Sequence, residues 1–319
     1  MTLKEEYQAS LKSMDTEEWL DLHFYRPIGF LWAKLFAKMG ISPNAVTIAS
    51  IFLGVFGGIL LYYRGEDYMW LNWLGIFFII WANTYDSADG QLARLTQQYS
   101  RMGRILDGLS GDFWFVAIYF ALVYRELDFG DAMYDNAFWF ENQWIIWALG
   151  IGAVVSHALQ AAMADYYRQF HLYFLKGAEG SELDSAAALT KQFKPLSWGM
   201  DFWSKLILFF YRNYTANQEY LTPRMQRLRA ALQERYGEDG VPPQEFRDYF
   251  RQLSRPLMKY TNILSFNTRI IACFISVIID MPWCYFVFEI VVLNLLLIYM
   301  ILRHEHICKK AINHLTQGK

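Results

Sequence analysis

The stretch DSADGQLARLTQQYSRMGRILDGLSGD, residues 86–112, decides the fold because it joins two apolar runs through a segment rich in aspartate. On a helix, Asp86 and Asp89 lie three residues apart on one face, with Gly90 beside them. Asp107 lies near the start of the next apolar run. A helix–loop–helix hairpin therefore brings Asp107 against the Asp86/Asp89 pair.

Six apolar runs come near the length of about 20 residues that a transmembrane helix needs. They cover residues 45–63, 69–88, 104–124, 143–164, 266–281 and 284–302. Met281-Pro282-Trp283 separates the last two runs, and a proline in so short a connection indicates a tight hairpin. The sequence therefore predicts an all-α polytopic membrane protein with six transmembrane helices.

The composition agrees with a membrane protein. Hydrophobic residues make up 55% of the chain and charged residues only 19%, which departs from soluble domains in both respects. The formal net charge of −2 gives no support for nucleic-acid binding. Cys273, Cys284 and Cys308 lack a metal-ligand spacing and cannot all pair, so we expect no disulfide framework.

The basic residues of the loops predict the orientation in the membrane. Arg94, Arg101 and Arg104 lie between the second and third runs, and the C-terminal tail is also basic. The loop at 125–142 is acidic. We therefore expect the aspartate-rich loop and both termini on the cytoplasmic side, which is the inner-membrane cytoplasmic face if the source is bacterial.

The runs divide the chain into four predicted parts. Residues 1–43 form a cytoplasmic N-terminal amphipathic segment, 44–165 the first four spans, 166–265 a helical cytoplasmic insert, and 266–319 the last two spans with a tail. Within the insert, helices are predicted at 198–214, 223–237 and 242–260, with proline near the start of the last two. Residues 198–214 are too short to span, and they fit either a helix lying in the membrane interface or one packed on the insert.

The clustered aspartates predict a metal site. Carboxylates that converge at the edge of hydrocarbon repel one another, and a divalent cation removes that repulsion. Oxygen ligands suit Mg²⁺ or Mn²⁺ shared with substrate phosphates. Arg94, one turn after Gly90, can pair with a phosphate. A single aspartate at a helix end is more often a cap, but three at this spacing favour the metal site.

The same residues carry a resemblance to a known family. The stretch resembles the CDP-alcohol phosphatidyltransferase signature D-x2-D-G-x2-A-R-x8-G-x3-D-x3-D, in which seven of the eight fixed positions fall in register. The matching residues are Asp86, Asp89, Gly90, Ala93, Arg94, Gly103 and Asp107. Residues 42–47, SPNAVT, also look like the family element before the first helix.

This resemblance implies the roles of the residues. Asp86, Asp89 and Asp107 would hold two metal ions, and Asp107 would also be a catalytic residue. A second group would bind the cytidine nucleotide: Asn44, Thr47, Gly90, Ala93, Arg94 and Gly103. An acceptor alcohol would attack the phosphate and CMP would leave. The family also leads us to expect a homodimer.

One position departs from the signature. The last aspartate, which the family uses as metal ligand and general base, should stand at 111, where this chain has Gly111, and Asp112 follows. At about 100° per residue, Asp112 would point about 140° away from Asp107 on a regular helix. A π-bulge at Gly111 would return Asp112 to the site, as catalytic base and metal ligand. The alternatives are another base, a metal-bound water, or a catalytically inactive relative.

The resemblance implies an enzyme of phospholipid or sphingolipid synthesis. In one form, CDP-diacylglycerol gives its phosphatidyl group to a polar alcohol such as inositol phosphate, glycerol phosphate or serine. In the alternative, a CDP-headgroup gives its phospho-headgroup to diacylglycerol or ceramide. The remaining alternatives are not enzymes: a scaffold derived from the family, or a transporter, for which midplane polar sites in paired halves would be typical.

Three further polar features admit two interpretations each. His157 could line an acceptor pocket or bond a neighbouring helix, and the second is favoured. Residues 165–168, DYYR, could touch a headgroup, but interfacial anchoring by Tyr and Arg is favoured. Arg269 could bind an acceptor phosphate or extend its charged end to water.

Overall fold

A computed structural model describes residues 3–11, 16–177, 183–237 and 241–317. Every regular element in these ranges is helical, so the all-α prediction is confirmed. The helices are α1 Leu3–Ser10, α2 Arg26–Met39, α3 Pro43–Leu60, α4 Met69–Thr96, α5 Arg101–Phe129, α6 Asn136–Glu141, α7 Gln143–Lys176, α8 Ala186–Phe193, α9 Phe202–Tyr220, α10 Pro223–Tyr236, α11 Gln244–Ser254, α12 Met258–Ile263, α13 Phe266–Ile278, α14 Trp283–Val287 and α15 Asn294–Gln317.

Five helical stretches of the described chain are long and apolar enough to cross a membrane, which makes this an integral membrane protein. They are Pro43–Leu60, Leu106–Phe129, Gln143–Lys176, Gln244–Ile278 and Trp283–Thr316. The predicted second span, 69–88, lies within α4, which is not among the five. Polar side chains such as Asn72 and Asp86 lower the hydropathy of α4. The count of six spans therefore stays a prediction.

The chain divides into two compact units. The first consists of residues 1–155 with 266–290, and the second of residues 156–265 with 291–319. In the first unit, a core of aliphatic and aromatic side chains joins α4, α5, α7, α13 and α14, with Ile79, Ile118 and Tyr285 among its members. A smaller cluster, with Ala33, Val46 and Leu92, packs α2 against α3 and α4.

Small residues let α3 lie close to its neighbours in the first unit. A Cβ atom added at Gly57 would lie 2.8 Å from the carbonyl oxygen of Gly75, so a larger side chain there would separate α3 from α4. A Cβ atom at Gly54 would overlap the Trp114 ring on α5. Such close backbone contacts are typical of helix packing in membranes. They hold α4 and α5 against a common partner, α3.

In the second unit, the predicted insert helices are confirmed with small shifts. Residues 223–237 form α10, 242–260 contain α11 and part of α12, and 198–214 overlap α9, which begins four residues later than predicted. Phe250 packs on Phe174 with ring centroids 4.0 Å apart. Arg247 donates to the carbonyl oxygens of Phe174 and Leu175 at the C-terminal end of α7. These contacts join the insert to α7.

Burial in the second unit decides one of the predictions made for α7, and the two interpretations of His157 stay open. Tyr166 and Tyr167 are 2% and 0% exposed, so the prediction that they anchor the helix at the interface is wrong. Tyr166 Oη accepts a hydrogen bond from Gln226, and Tyr167 stacks on His304 with centroids 3.8 Å apart. His157 is also buried.

Arg269 lies in the first unit and is 1% exposed. Its guanidinium donates to Glu289 Oε2 over 2.7 Å, and Tyr285 Oη donates to the other oxygen of that carboxylate over 2.9 Å. The interpretation that Arg269 extends to water is therefore wrong. Its charge is balanced inside the protein by a carboxylate of the same chain.

Candidate metal and nucleotide site

Asp86, Asp89 and Asp107, named here the acidic cluster, come together in the first unit as predicted. Each can offer a carboxylate oxygen, and these three oxygens lie within 4.8 Å of one another. Asp89 is 3% exposed, Asp86 is half-buried and Asp107 is exposed. The cluster therefore leads from a buried end on α4 to an open end on α5.

Hydroxyl groups hold the two α4 carboxylates in place. Thr47 Oγ1 on α3 donates to Asp89 Oδ2 over 2.5 Å, and Ser110 Oγ on α5 donates to Asp86 Oδ1 over 2.6 Å. Each of these carboxylates keeps a further oxygen for a ligand. Thr47 was predicted as a nucleotide-binding residue, and in the structure it orients an aspartate.

The acidic cluster fits a divalent cation by its chemistry. It consists of oxygen donors, which Mg²⁺ and Mn²⁺ prefer, and Asp86 and Asp89 accept hydrogen bonds from neutral hydroxyl groups. Like charges at this separation, with one of them 3% exposed, are stabilised by a cation between them. Asp86, Asp89 and Asp107 are the residues that could hold it.

Two guanidinium groups lie beside the acidic cluster. Arg94 Nε donates to the carbonyl oxygen of Ser10 over 2.5 Å, and its Nη2 is buried without a hydrogen-bond partner among the described residues. Arg26 on α2 donates through Nε to Glu17 Oε2 over 3.0 Å. Arg26 was not identified from the sequence, because it lies 61 residues before Ser87, to which its Nη1 donates.

The pKa values of Arg94 and Arg26 reflect the burial of each guanidinium group and the charges around it. Burial lowers the pKa of Arg94, and the positive charge of Arg26 lowers it further. Burial also acts to lower the pKa of Arg26, but the carboxylates of Glu17, Asp21 and Asp86 outweigh it, so that pKa is raised. Asp86 acts on Arg26 and Asp107 acts on Arg94, so both cations lie in a desolvated region beside the acidic cluster, where an anionic ligand would be attracted to them.

The predicted glycines differ in their surroundings. A Cβ atom at Gly90 would meet only the Arg94 guanidinium, with the nearest nitrogen 3.5 Å away, so the α4 backbone is open to a ligand there. A Cβ atom at Gly103 would lie 2.5 Å from Asn44 Oδ1. The nearest atoms at Gly103 thus belong to Asn44 and Ser100, whose hydroxyl donates to that same oxygen over 3.2 Å. Ala93 lies between Gly90 and Arg94 on α4.

The π-bulge predicted at Gly111 is wrong. The helix α5 is α-helical without interruption from Arg101 to Phe129. A Cβ atom at Gly111 would meet nothing within 4 Å, so no neighbour forces a distortion there. Asp112 is exposed and lies outside the acidic cluster. Its role as base and ligand stays a prediction.

Two polar residues that the sequence analysis missed support the site. Ser110 follows Asp107 by one helical turn, and that spacing could have identified it. Gln91 Nε2 donates to the hydroxyl of Ser10 and to the carbonyl oxygen of Arg26, each over 3.2 Å. No spacing in the sequence indicates that α1 would lie against α4 at Gln91 and Arg94.

The fold and the site define a helical integral membrane protein with an acidic cluster able to hold a metal ion. The model of the CDP-alcohol phosphatidyltransferase family matches residues 40–170, which include α3, α4, α5 and the acidic cluster. This match confirms, over residues 40–170, the family predicted from the signature, which is a family of transferases that use CDP-linked alcohols. A comparison with curated proteins found no match.

Proposed function

We propose that the protein transfers a phosphatidyl group from CDP-diacylglycerol to a polar alcohol, such as inositol phosphate or glycerol phosphate, and releases CMP. The observation that carries this proposal is the convergence of three carboxylate oxygens within 4.8 Å. The family match over residues 40–170 supports the CDP-linked donor. The length and apolarity of the spans support one lipidic substrate.

In the proposed reaction, the acceptor hydroxyl attacks the phosphorus atom that carries the diacylglycerol. A new phosphorus–oxygen bond forms, the bond to the CMP phosphate breaks, and the hydroxyl proton passes to a base. Mg²⁺ or Mn²⁺, two ions by the family resemblance, would neutralise phosphate charge and polarise the reacting phosphorus. Catalysis of this kind depends on positioning and electrostatics rather than covalent help.

The residues of the chain would divide the work as follows. Asp86, Asp89 and Asp107 hold the cations, with Thr47 and Ser110 orienting two of the carboxylates. Arg94 and Arg26 bind the phosphates of the donor, and the open backbone at Gly90 receives the cytidine nucleotide. Asp112 is the proposed base. On the regular α5 helix it points away from Asp107, so it would act on an acceptor approaching from the exposed side.

The experiment is a donor and acceptor screen with the purified protein in lipid nanodiscs. Radiolabelled CDP-diacylglycerol is supplied with Mn²⁺ and a panel of polar alcohols, and CDP-headgroups are then supplied with diacylglycerol or ceramide. We expect CMP release with CDP-diacylglycerol and one polar alcohol, and a release about a thousandfold slower after Asp89→Asn. Product only from a CDP-headgroup would overturn the proposed donor, and no product from any donor would overturn the transferase.

A further inference from the structure

Helices α8 and α9 of the second unit form a hairpin that carries exposed aromatic side chains. The aromatic tip, as we name it, consists of Trp198, Met200, Phe202, Trp203 and Phe210. Met200 is 91% exposed and Trp203 is 72% exposed. Contiguous apolar surface of this kind is rare on a protein face in contact with water, and it marks an interaction site. The hairpin belongs to the insert between the fourth and fifth predicted spans, so it is not itself a span.

The inner face of α9 already has its partners. Leu208, Thr215 and Gln218 are buried, so they define the side of α9 that packs on the unit. Trp203 and Phe210, seven residues apart, share another side of the helix and are exposed. The aromatic tip is therefore additional apolar surface, and the described residues of the second unit leave Trp203 and Phe210 72% and 61% exposed.

The base of the hairpin is fixed near the end of an apolar run. Gln218 Nε2 donates to the carbonyl oxygen of Ala162 over 2.8 Å, and Tyr214 Oη donates to Asp165 over 3.3 Å. The apolar run of α7 ends at about residue 164, so Ala162 and Asp165 lie near the level of the membrane surface. Trp203 is 15 residues from Gln218, a distance of about 22 Å along the helix. If α9 runs parallel to the membrane surface from this base, the aromatic tip lies at the same depth as Ala162 and Asp165.

The charges around the aromatic tip are mostly positive. Residues 186–212 contain the basic residues Lys191, Lys194, Lys205 and Arg212 and one acidic residue, Asp201. The ammonium group of Lys205 lies 5.3 Å from the Trp198 ring centroid, and the Arg212 guanidinium lies 4.7 Å from the Phe193 centroid. Aromatic rings beside basic side chains are typical of helices that lie in the headgroup region of a membrane.

We infer that the aromatic tip inserts into the headgroup region of the membrane, and that the surrounding lysines and arginine bind anionic lipid headgroups. The apolar rings match the boundary between headgroups and acyl chains, and the basic residues match negatively charged phosphates. The inference decides between the two interpretations of residues 198–214 in favour of the interfacial helix. It does not depend on the proposed catalytic activity.

The test is a spin-label accessibility measurement on the full chain in lipid vesicles. A nitroxide is attached to Trp203→Cys and, in a second variant, to Met200→Cys, while Gln233→Cys on α10 provides an exposed control within the same insert. The parent chain, treated with the same label, gives the background from Cys273, Cys284 and Cys308. Collision rates are measured with oxygen, which partitions into lipid, and with a nickel chelate, which stays in water.

We expect the ratio of oxygen to nickel collisions to be several-fold higher at residues 203 and 200 than at 233. We also expect that ratio to rise when phosphatidylglycerol is added to phosphatidylcholine vesicles, and to rise less when Lys191→Gln and Lys194→Gln are combined. Equal ratios at 203 and 233 would show the aromatic tip in water. Protection of 203 from both reagents would show that protein, such as a second copy of the chain, covers it. A ratio unaffected by anionic lipid would overturn the role of the basic residues.

Discussion

The two ends of the α4–α5 pair differ in the arrangement of their charged side chains. At one end, the acidic cluster brings three carboxylates together, and neutral hydroxyls orient two of them. At the other end, Arg125 is 2% exposed and donates to Asn72, Asp280 and two carbonyl oxygens of the α3–α4 connection. Opposite charges paired within the chain hold helices together, whereas like charges gathered at one point attract a cation.

The difference also appears in how each end is assembled. Asp280 accepts from Arg64 over 2.8 Å as well as from Arg125 over 2.9 Å, so the connections at this end are joined by complete ion pairs. Arg125 is the buried member of this network, and its removal is costly because the groups that it pairs with are left without compensation. Loss of a carboxylate from the acidic cluster, by contrast, reduces repulsion. Substitutions at the two ends should therefore separate activity from stability.

The largest effect is expected for Asp89→Asn. The amide keeps the size of the side chain but removes one negative charge, so a cation is bound weakly. We expect activity to fall about a thousandfold, equivalent to about 4 kcal/mol of transition-state stabilisation. Manganese binding, followed by electron paramagnetic resonance, should weaken in parallel.

The same variant tests the comparison through its stability. In the presence of a chelator, the melting temperature of Asp89→Asn should equal or exceed that of the parent chain, because repulsion within the acidic cluster is relieved. A variant that melts at a lower temperature, and whose activity falls only as far as its folded fraction falls, would contradict the separation of activity from stability. Full activity with normal manganese binding would remove the acidic cluster from the mechanism.

The second prediction concerns the base. Asp112→Asn should reduce turnover by about 10²–10⁴-fold, the usual contribution of general acid–base catalysis. Residue 111 lies one helical turn after Asp107 and on the same face, and a Cβ atom there meets open space. The double variant Gly111→Asp/Asp112→Asn should therefore recover part of the lost turnover.

The matched control is Gly111→Asn/Asp112→Asn, which has the same bulk at both positions and no carboxylate. It should stay as inactive as Asp112→Asn alone. Near-normal turnover of Asp112→Asn would rule out this residue as the base. Equal recovery in both double variants would assign the effect to packing at Gly111 rather than to a proton acceptor.

Substitutions at the opposite end of α4 and α5, where Arg125 lies, should change the stability of the protein. Arg125→Ala leaves Asp280 and several carbonyl oxygens without their donor, so we expect a loss of about 3–5 kcal/mol in the free energy of unfolding. Unfolding in detergent micelles can be followed by tryptophan fluorescence. The matched control is Asp128→Asn, an exposed residue of the same helix that accepts a hydrogen bond from Tyr62, and its effect should stay within about 0.5 kcal/mol.

Activity per folded molecule should be retained in Arg125→Ala at a temperature where the variant is folded. A variant that melts normally would show that the Arg125 network adds little stability. A folded variant with little turnover would show that this end of the helices also affects the site, and the division between the two ends would fail.

The sequence predicted the acidic cluster because its spacing is local: Asp86 and Asp89 share a helical face, and a short turn brings Asp107 to them. It also predicted the family through that signature, and the helices of the insert through proline positions. Contacts made at long range were missed, since Ser10 lies 84 residues before Arg94, whose side chain its carbonyl oxygen holds. The π-bulge was wrong because a glycine permits a distortion but does not require one.

The smallest effect is expected at Arg26, the cation that only the structure identified. Removal of its charge by Arg26→Gln takes one phosphate-binding group from the site but leaves the acidic cluster intact. A hydrogen bond to a charged group contributes about 1.5–3 kcal/mol, so kcat/KM should fall about tenfold or somewhat more, chiefly through a higher KM for the CDP-linked donor. The kcat/KM of Arg26→Lys should lie between that of the parent chain and that of Arg26→Gln.

The control is Lys34→Gln on the same helix, which removes a pairing with Glu6 away from the acidic cluster and should change KM little. If Arg26→Gln and Lys34→Gln raise KM equally, then α2 acts only by packing against α4, and the attraction between the arginines and the donor phosphates rests on Arg94 alone.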